Sequence, residues 1–234
     1  MQKNLLYHIW PTSKTQHWRW NVRQLLQRID LFDGVRSIGV ALDDSTDSLD
    51  EVKAAFGDAE IDHWIVRKNN AKIREGATFL KLMDTIPRGG DSVTCYTHAK
   101  GVRHHEGSLT VNWAEMMYRT TFDHWPHVKS VLSQYPVAGT FKRLGMFKLP
   151  GNHCWHYSGT FFWFRNRDVF ARPEWSRIHN RFFACVEAWP ANVFKADEAG
   201  VIFGDNAGDL YQPEELARQA ALLAEWERQC SELK

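Results

Sequence analysis

From Leu5 to His98 the sequence alternates short apolar runs of strand length with segments whose apolar residues recur at helical spacing. Leu5 to Trp10 reads as a first strand, after which Trp18, Val22, Leu25, Leu26 and Ile29 fall on one helical stripe. Ser37 to Leu42 reads as a second strand, closed by Asp43 and Asp44, and His63 to Val66 as a third. Ser13 with Gln16, and Ser48 with Glu51, have capping-box spacing ahead of the first two helices. Ile73, Ala77, Leu80 and Met83 are spaced for a third helix that stops before Pro87, and the stretch beginning at Asp91 is a fourth strand ending in His98, Lys100 and Gly101. Strands joined by helical crossovers lie parallel, so the expected fold is α/β, a mostly parallel central sheet flanked by helices. In such sheets ligands bind outside the carboxyl ends of the strands. That rule puts Pro11 to Lys14, Asp43, Asp44 and the His98–Lys100 cluster on one rim.

The second half is less regular. Asn112 to Gln134 has a helical pattern with a break at Pro126, Val137 to Arg143 reads as a strand, and "GMFKLPGNHCWH" as a loop. Tyr157 to Arg165 reads as another strand, with Phe161, Phe162 and Trp163 core on one face and turned toward a ligand on the other. Pro173 opens an expected helix carrying Trp175, Ile178, Phe182 and Val186 on one face and reaching Glu187 and Trp189. A last helix follows Pro213. Neither repeats nor a linker divide the chain, so residues 1–234 read as one domain with 213–234 a C-terminal helix packed on it.

A net charge of +1 gives no global case for nucleic acid or an anionic membrane as partner. The longest apolar runs are too short to cross a bilayer, and the N-terminal residues lack a secretory pattern, so the expected location is the cytoplasm. Cys95, Cys154, Cys185 and Cys230 show no C-x-x-C spacing and read as reduced thiols. Eleven tryptophans, several beside polar groups, offer flat surfaces for sugars or bases as well as for the core.

The chemistry concentrates in "YTHAKG" (Tyr96 to Gly101) and "HYSGTFFW" (His156 to Trp163). A lysine at a strand end beside glycine meets phosphate oxygens as a point charge, or is simply a solvated basic loop. His98, two residues earlier, points to the same side of an extended strand as Lys100, where it could bind a metal or donate to phosphate. His104 and His105 read as a solvated loop, and His153 and His156 as residues near a pocket.

"YTHAKG", a tryptophan-bearing helix (Trp113), "HYSGTFFW" and "EAW" (Glu187 to Trp189), in that order over roughly Leu5 to Phe203, resemble bacterial glycosyltransferase-like chains of the GT-A fold that serve capsule and cell-surface polysaccharide synthesis. The resemblance implies a nucleotide-sugar donor across the strand ends and a glycan or related hydroxyl acceptor. Tyr7, His8, Trp10 and Thr12 would contact the nucleotide, Asp43 or Asp44 the base or ribose, and Lys100 with Gly101 the diphosphate. His156, Ser158 and Gly159 would line the sugar and acceptor side. Glu187 would be the general base, with Asp197 and Glu198 behind it. The sequence departs from the Asp-x-Asp enzymes, in which Mn²⁺ or Mg²⁺ neutralises the leaving diphosphate. Here Lys100, with Lys14 or Arg103, would do so directly, or His98 and a distant carboxylate such as Asp44 would hold the ion. Two other classes remain open: a non-catalytic carbohydrate- or nucleotide-binding domain, and a metal-dependent hydrolase.

Overall fold

Nine strands form in the computed structural model of the protein, which describes residues 1–105 and 107–232. They are β1 (Gln2–Ile9), β2 (Arg36–Leu42), β3 (His63–Lys68), β4 (Ser92–His98), β5 (Val137–Thr140), β6 (Lys142–Leu144), β7 (Trp155–Tyr157), β8 (Phe162–Arg165) and β9 (Ala199–Phe203). The α-helices are α1 (His17–Leu26), α2 (Leu49–Phe56), α3 (Gly76–Met83), α4 (Leu109–Phe122), α5 (Trp125–Gln134), α6 (Asn166–Phe170), α7 (Pro190–Val193) and α8 (Pro213–Ser231). Seven strands make one sheet in the order β3-β2-β1-β4-β8-β5-β9, while β6 and β7 pair apart from it. β1 runs parallel to β2 and β4, β2 to β3, and β5 to β9; β8 alone is reversed, antiparallel to β4 and β5. The fold is therefore α/β with a mostly parallel central sheet flanked by helices.

Both faces of the sheet are covered, which is why its inner strands read as unbroken apolar runs. Trp18, Val22 and Leu25 of α1 pack with Trp113, Met117 and Tyr118 of α4 on one face. Phe79, Leu82 and Met83 of α3 pack with Trp189 and Phe194 on the other. From β1 the chain builds outward to β2 and β3, then returns to lay β4 on β1's other side. That reversal of strand order opens a crevice at the carboxyl ends of β1 and β4, where His8 and His98 sit opposite each other in register.

The structure corrects several local expectations. Ser48 and Glu51 form their capping box, with the Glu51 amide 3.2 Å from Ser48 Oγ. Ser13 and Gln16 do not: Gln16 takes a left-handed conformation (φ 54°) and spends its amide on Asp47 and the Ser13 carbonyl. The strand expected over Val137 to Arg143 breaks at Phe141 (φ 53°), and the one over Tyr157 to Arg165 breaks at Gly159 and Thr160 (φ 92° and 64°). β7, at the end of the expected loop, thus turns aside to pair with β6. Phe161 and Trp163 enter one core layer and Phe162 the other, all fully buried, so neither face of that run is open to the surface. The helix expected from Pro173 is a single turn over Pro173–Ser176, followed by irregular turns up to α7. There the Trp175 and Arg177 carbonyls accept from the Trp189 indole (2.8 Å) and the Asn192 amide (3.3 Å), so side chains take bonds a helix would have used. β9 carries no sequence motif.

In α8, Glu227 pairs with Arg119 of α4, and Trp226 packs edge-on to His124, His127 and Phe203. The last two residues of the 213–234 expectation lie outside the described residues. No helix among those described is long and apolar enough to cross a membrane.

Candidate functional site

At the carboxyl ends of β1 and β4 lies a cavity of about 300 Å³ whose walls include His8, Trp10, Glu75, His98, Lys100 and Glu187. β4 delivers two of these. It stays in register with β1 up to His98, the Ala99 amide then donates to the His8 carbonyl (2.8 Å), and Gly101 turns the chain away at φ 77°. The left-handed turn suits glycine, which carries no Cβ to clash. Lys100 leaves the strand here to line the cavity, with its Nζ held 4.0 Å from the centre of the Trp113 ring in a cation–π contact.

Glu75 comes from the loop that follows β3, one residue before α3. Its Oε1 lies 2.8 Å from His98 Nδ1, and its side chain is 17% exposed. Burial opposes its charge, yet the imidazoles of His98 and His8 and the Lys100 ammonium outweigh burial and hold the carboxyl down to about 2. The His8 ring is the reverse case: burial pushes it down to about 4, and Nδ1 sits 2.7 Å from Thr78 Oγ1.

Glu187 arrives from the irregular segment before α7. Its Oε1 accepts from the Gly159 amide at 2.9 Å and stands 4.0 Å from His156 Nε2. Burial raises its carboxyl above the usual range, against the pull of Lys100 and the Gly159 amide. Two carboxyl groups thus face one lysine, one held firmly ionised and the other pushed toward its neutral form, an arrangement that separates acid from base roles.

His8, Trp10, His98, Lys100, Gly101 and Glu187 are brought together on the cavity wall, joined by Arg103 and His104. Thr12 and Lys14 line a neighbouring cleft that shares Trp10 and Arg103 with the first, the Arg103 guanidinium lying 4.8 Å from the Trp10 ring. Tyr7 is in the core, its hydroxyl on Tyr118. Asp43 is spent inside the structure: it accepts from the Trp10 indole (3.0 Å), the Asn69 amide (2.6 Å) and Ser45, and these donors hold it at about 2 despite burial. It therefore sets the Trp10 ring rather than lining the cavity, and Asp44 lines neither cleft. His156, Ser158 and Gly159 sit behind the wall. The His156 ring is pushed down to about 3 by burial and by Arg143, Ser158 Oγ lies 3.0 Å from His156 Nε2, and Gly159 presents its amide to Glu187. His153 is apart from this wall, its amide on the Ala191 carbonyl. Of the reserve bases, Glu198 is paired with Arg172, and Asp197, on the same turn, is exposed and off the cavity wall.

Sequence reading missed Glu75, Arg74, Thr160, Phe183 and Tyr211, all of which line the cavity. The rule that marked the ends of β1, β2 and β4 applies equally to the loop after β3, and would have marked Asn69 to Glu75. As for a divalent ion, His98 turns Nδ1 to Glu75 while Asp44 lies off the cavity wall. Among the described residues no three His, Cys, Asp or Glu side chains converge as a metal-ligand set.

No protein-family profile matches the chain, and no curated protein matches it. Solved structures similar to it include HddC from Yersinia pseudotuberculosis (11% identity, 100% of both chains, TM-score 0.47). A candidate nucleotide-diphospho-sugar transferase from Desulfovibrio desulfuricans G20 is similar at 14% identity over 97% of this chain and 99% of that one, with a TM-score of 0.42. A 4-diphosphocytidyl-2C-methyl-D-erythritol synthase is similar at 14% identity over 95% and 99%, with a TM-score of 0.44.

Proposed function

We propose that the cavity binds a nucleotide-diphosphate sugar and that the protein transfers the sugar to a hydroxyl of a glycan or related acceptor. The observation that carries this reading is Lys100, held over Trp113 at the crevice between β1 and β4 and facing a carboxyl group, Glu187, of raised basicity. In a single displacement the acceptor oxygen bonds to the anomeric carbon as the bond from that carbon to the diphosphate breaks. The electron pair leaves on the diphosphate, where Lys100, flanked by Arg74 and Arg103, meets the new charge. The acceptor's proton passes to Glu187. The residues themselves supply the positive charge, and we assign the reaction no protein-held metal. On this reading the enzyme serves polysaccharide synthesis in the cytoplasm, the compartment of its donor.

The test is thermal unfolding against UDP, GDP, dTDP, CMP and their sugar conjugates, each with and without Mn²⁺. A ligand that binds only the folded protein raises the midpoint by mass action. One nucleotide family is expected to do so without Mn²⁺, and Lys100→Ala should abolish the shift. No shift with any nucleotide overturns the reading; a shift without turnover on any acceptor supports a non-catalytic binding domain instead.

A further inference from the structure

A buried chain of hydrogen bonds runs from β1 through α4 and α1 to the main chain of Lys100, and none of its three side chains lines the cavity. Tyr7 Oη and Tyr118 Oη lie 2.7 Å apart, and Tyr118 Oη is 3.1 Å from Asn21 Oδ1. The Asn21 amide nitrogen is 3.0 Å from the Lys100 carbonyl and 3.1 Å from the carbonyl of His17. Tyr7, Asn21 and Tyr118 are all fully buried. Chemistry fixes the direction of every bond. A phenol has one hydrogen to give, and Tyr118 gives its hydrogen to Oδ1, a bare acceptor; Tyr7 must then donate to Tyr118. With Oδ1 taken, the amide presents its two hydrogens to the two carbonyls. Burial raises both phenols far above their ordinary range, so neither hydroxyl loses its hydrogen. A second side chain holds the same turn two residues on, where the Thr15 hydroxyl donates to the Val102 carbonyl.

Three buried polar side chains cost stability unless every group is paired, and apolar residues of similar volume would fill the same space at less risk. What the polar chain adds is direction. It pins the Lys100 carbonyl at the point where β4 has left the sheet ladder and Gly101 is about to turn, so no strand partner is left to orient that peptide. Rotation of the peptide would swing the lysine off the Trp113 ring. Fixed groups of this kind spare a site the reorganisation that a mobile lysine would need on binding.

We propose that Asn21 is a positioning residue for Lys100, with Tyr118 and Tyr7 locking its amide, so that the ammonium is preset for a diphosphate before any ligand enters. This rests on the assignment of Lys100 to the diphosphate made above. The experiment is a double-mutant cycle on the affinity for inorganic pyrophosphate, using Asn21→Leu and Lys100→Met in the full chain. The Lys100→Met variant tests the underlying reading by itself: it should bind at least about thirtyfold more weakly, and binding equal to wild type overturns the diphosphate assignment. The cycle tests the inference. Asn21→Leu should weaken binding about tenfold with Lys100 present and less than twofold in the Lys100→Met background, because its effect passes through the lysine. Equal losses in both backgrounds, or no loss in either, overturn the positioning role. Should Asn21→Leu fail to fold, Tyr118→Phe removes one oxygen and leaves the ring packing. It is expected to cost about threefold in affinity, with the same dependence on Lys100, and an additive loss overturns the proposal.

Discussion

Lys100 and Glu187 face the same cavity but reach it from backbone of different kinds. Lys100 extends β4, which is paired with β1 through His98, and its carbonyl is pinned by Asn21. Glu187 lies in turns that belong to no sheet and to no helix of more than one turn, and it is located by a bond to the amide of Gly159, itself in a break between β7 and β8. The parallel half of the molecule is held by repetitive main-chain bonds, while the turns on either side of Glu187, and the break at Gly159 and Thr160, are held by individual bonds and tight packing. A change in the first half is shared among many bonds; a change in the second falls on one.

The largest test of that contrast is Glu187→Gln. It should leave donor affinity within about twofold and lower turnover by about 10²- to 10⁴-fold, read from steady-state kinetics with a matched donor and acceptor. Full activity would remove Glu187 as the base and leave Glu75 as the carboxylate to test.

Acid should act next. His8 and His156 are buried with their rings pushed down to about 4 and about 3, below the value near 6.5 of an unfolded chain. The unfolded state therefore takes up protons that the folded state refuses, and stability should fall as pH drops below about 6.5, by up to about 2.7 kcal/mol per pH unit where both rings differ. Glu75 adds to this at lower pH. Its stabilisation is present above the unfolded carboxyl value near 4.3 and is lost as pH falls through about 2. Urea midpoints between pH 7 and pH 3 measure the slope, and a flat profile would contradict the burial of both imidazoles.

Gly159→Ala probes the irregular half directly. The position has φ 92°, and a Cβ there would lie 2.5 Å from Met117 Sδ and 3.1 Å from the Trp113 ring. A loss of about 2–3 kcal/mol is expected, with a thermal midpoint lower by several degrees. In the parallel half, Ser48→Ala removes one exposed helix cap and should cost only about 1 kcal/mol by the same assay. If the two losses proved equal, the contrast between shared and individual bonds would fail.

The same contrast decides what could be read from the sequence. Alternating strand and helix patterns marked β1 to β4 along the chain and a rim that includes His98 and Lys100, because main-chain pairing obeys periodic rules that leave a mark in residue spacing, whereas His8 and Trp10 were marked only by the family resemblance. Glu187 was found through its motif, although the helix expected around it is absent: Trp189 and Asn192 capture carbonyls that helical periodicity would have reserved. Glu75 was missed since a single carboxylate in a polar loop has no period, and only its approach to His98 in three dimensions reveals it. Asp43 is the opposite case. Its neighbours Ser45 and Asn69 consume both oxygens, which no local spacing announces.

The reversed strand β8 has a consequence for the order in which the molecule is made. β4 finds one partner, β1, among residues already synthesised, but its other neighbour, β8, comes only after α4, α5, β5, β6 and β7. Until Phe162–Arg165 emerges, β4 is an open edge with free amides and carbonyls on the side that later closes against β8. The lysine end of the site can thus be built early, while the Gly159–Glu187 end must wait for a pairing of long sequence separation, the slow kind in folding. Nascent chains halted after Gln134 are expected to be more prone to self-association than chains halted after Phe203.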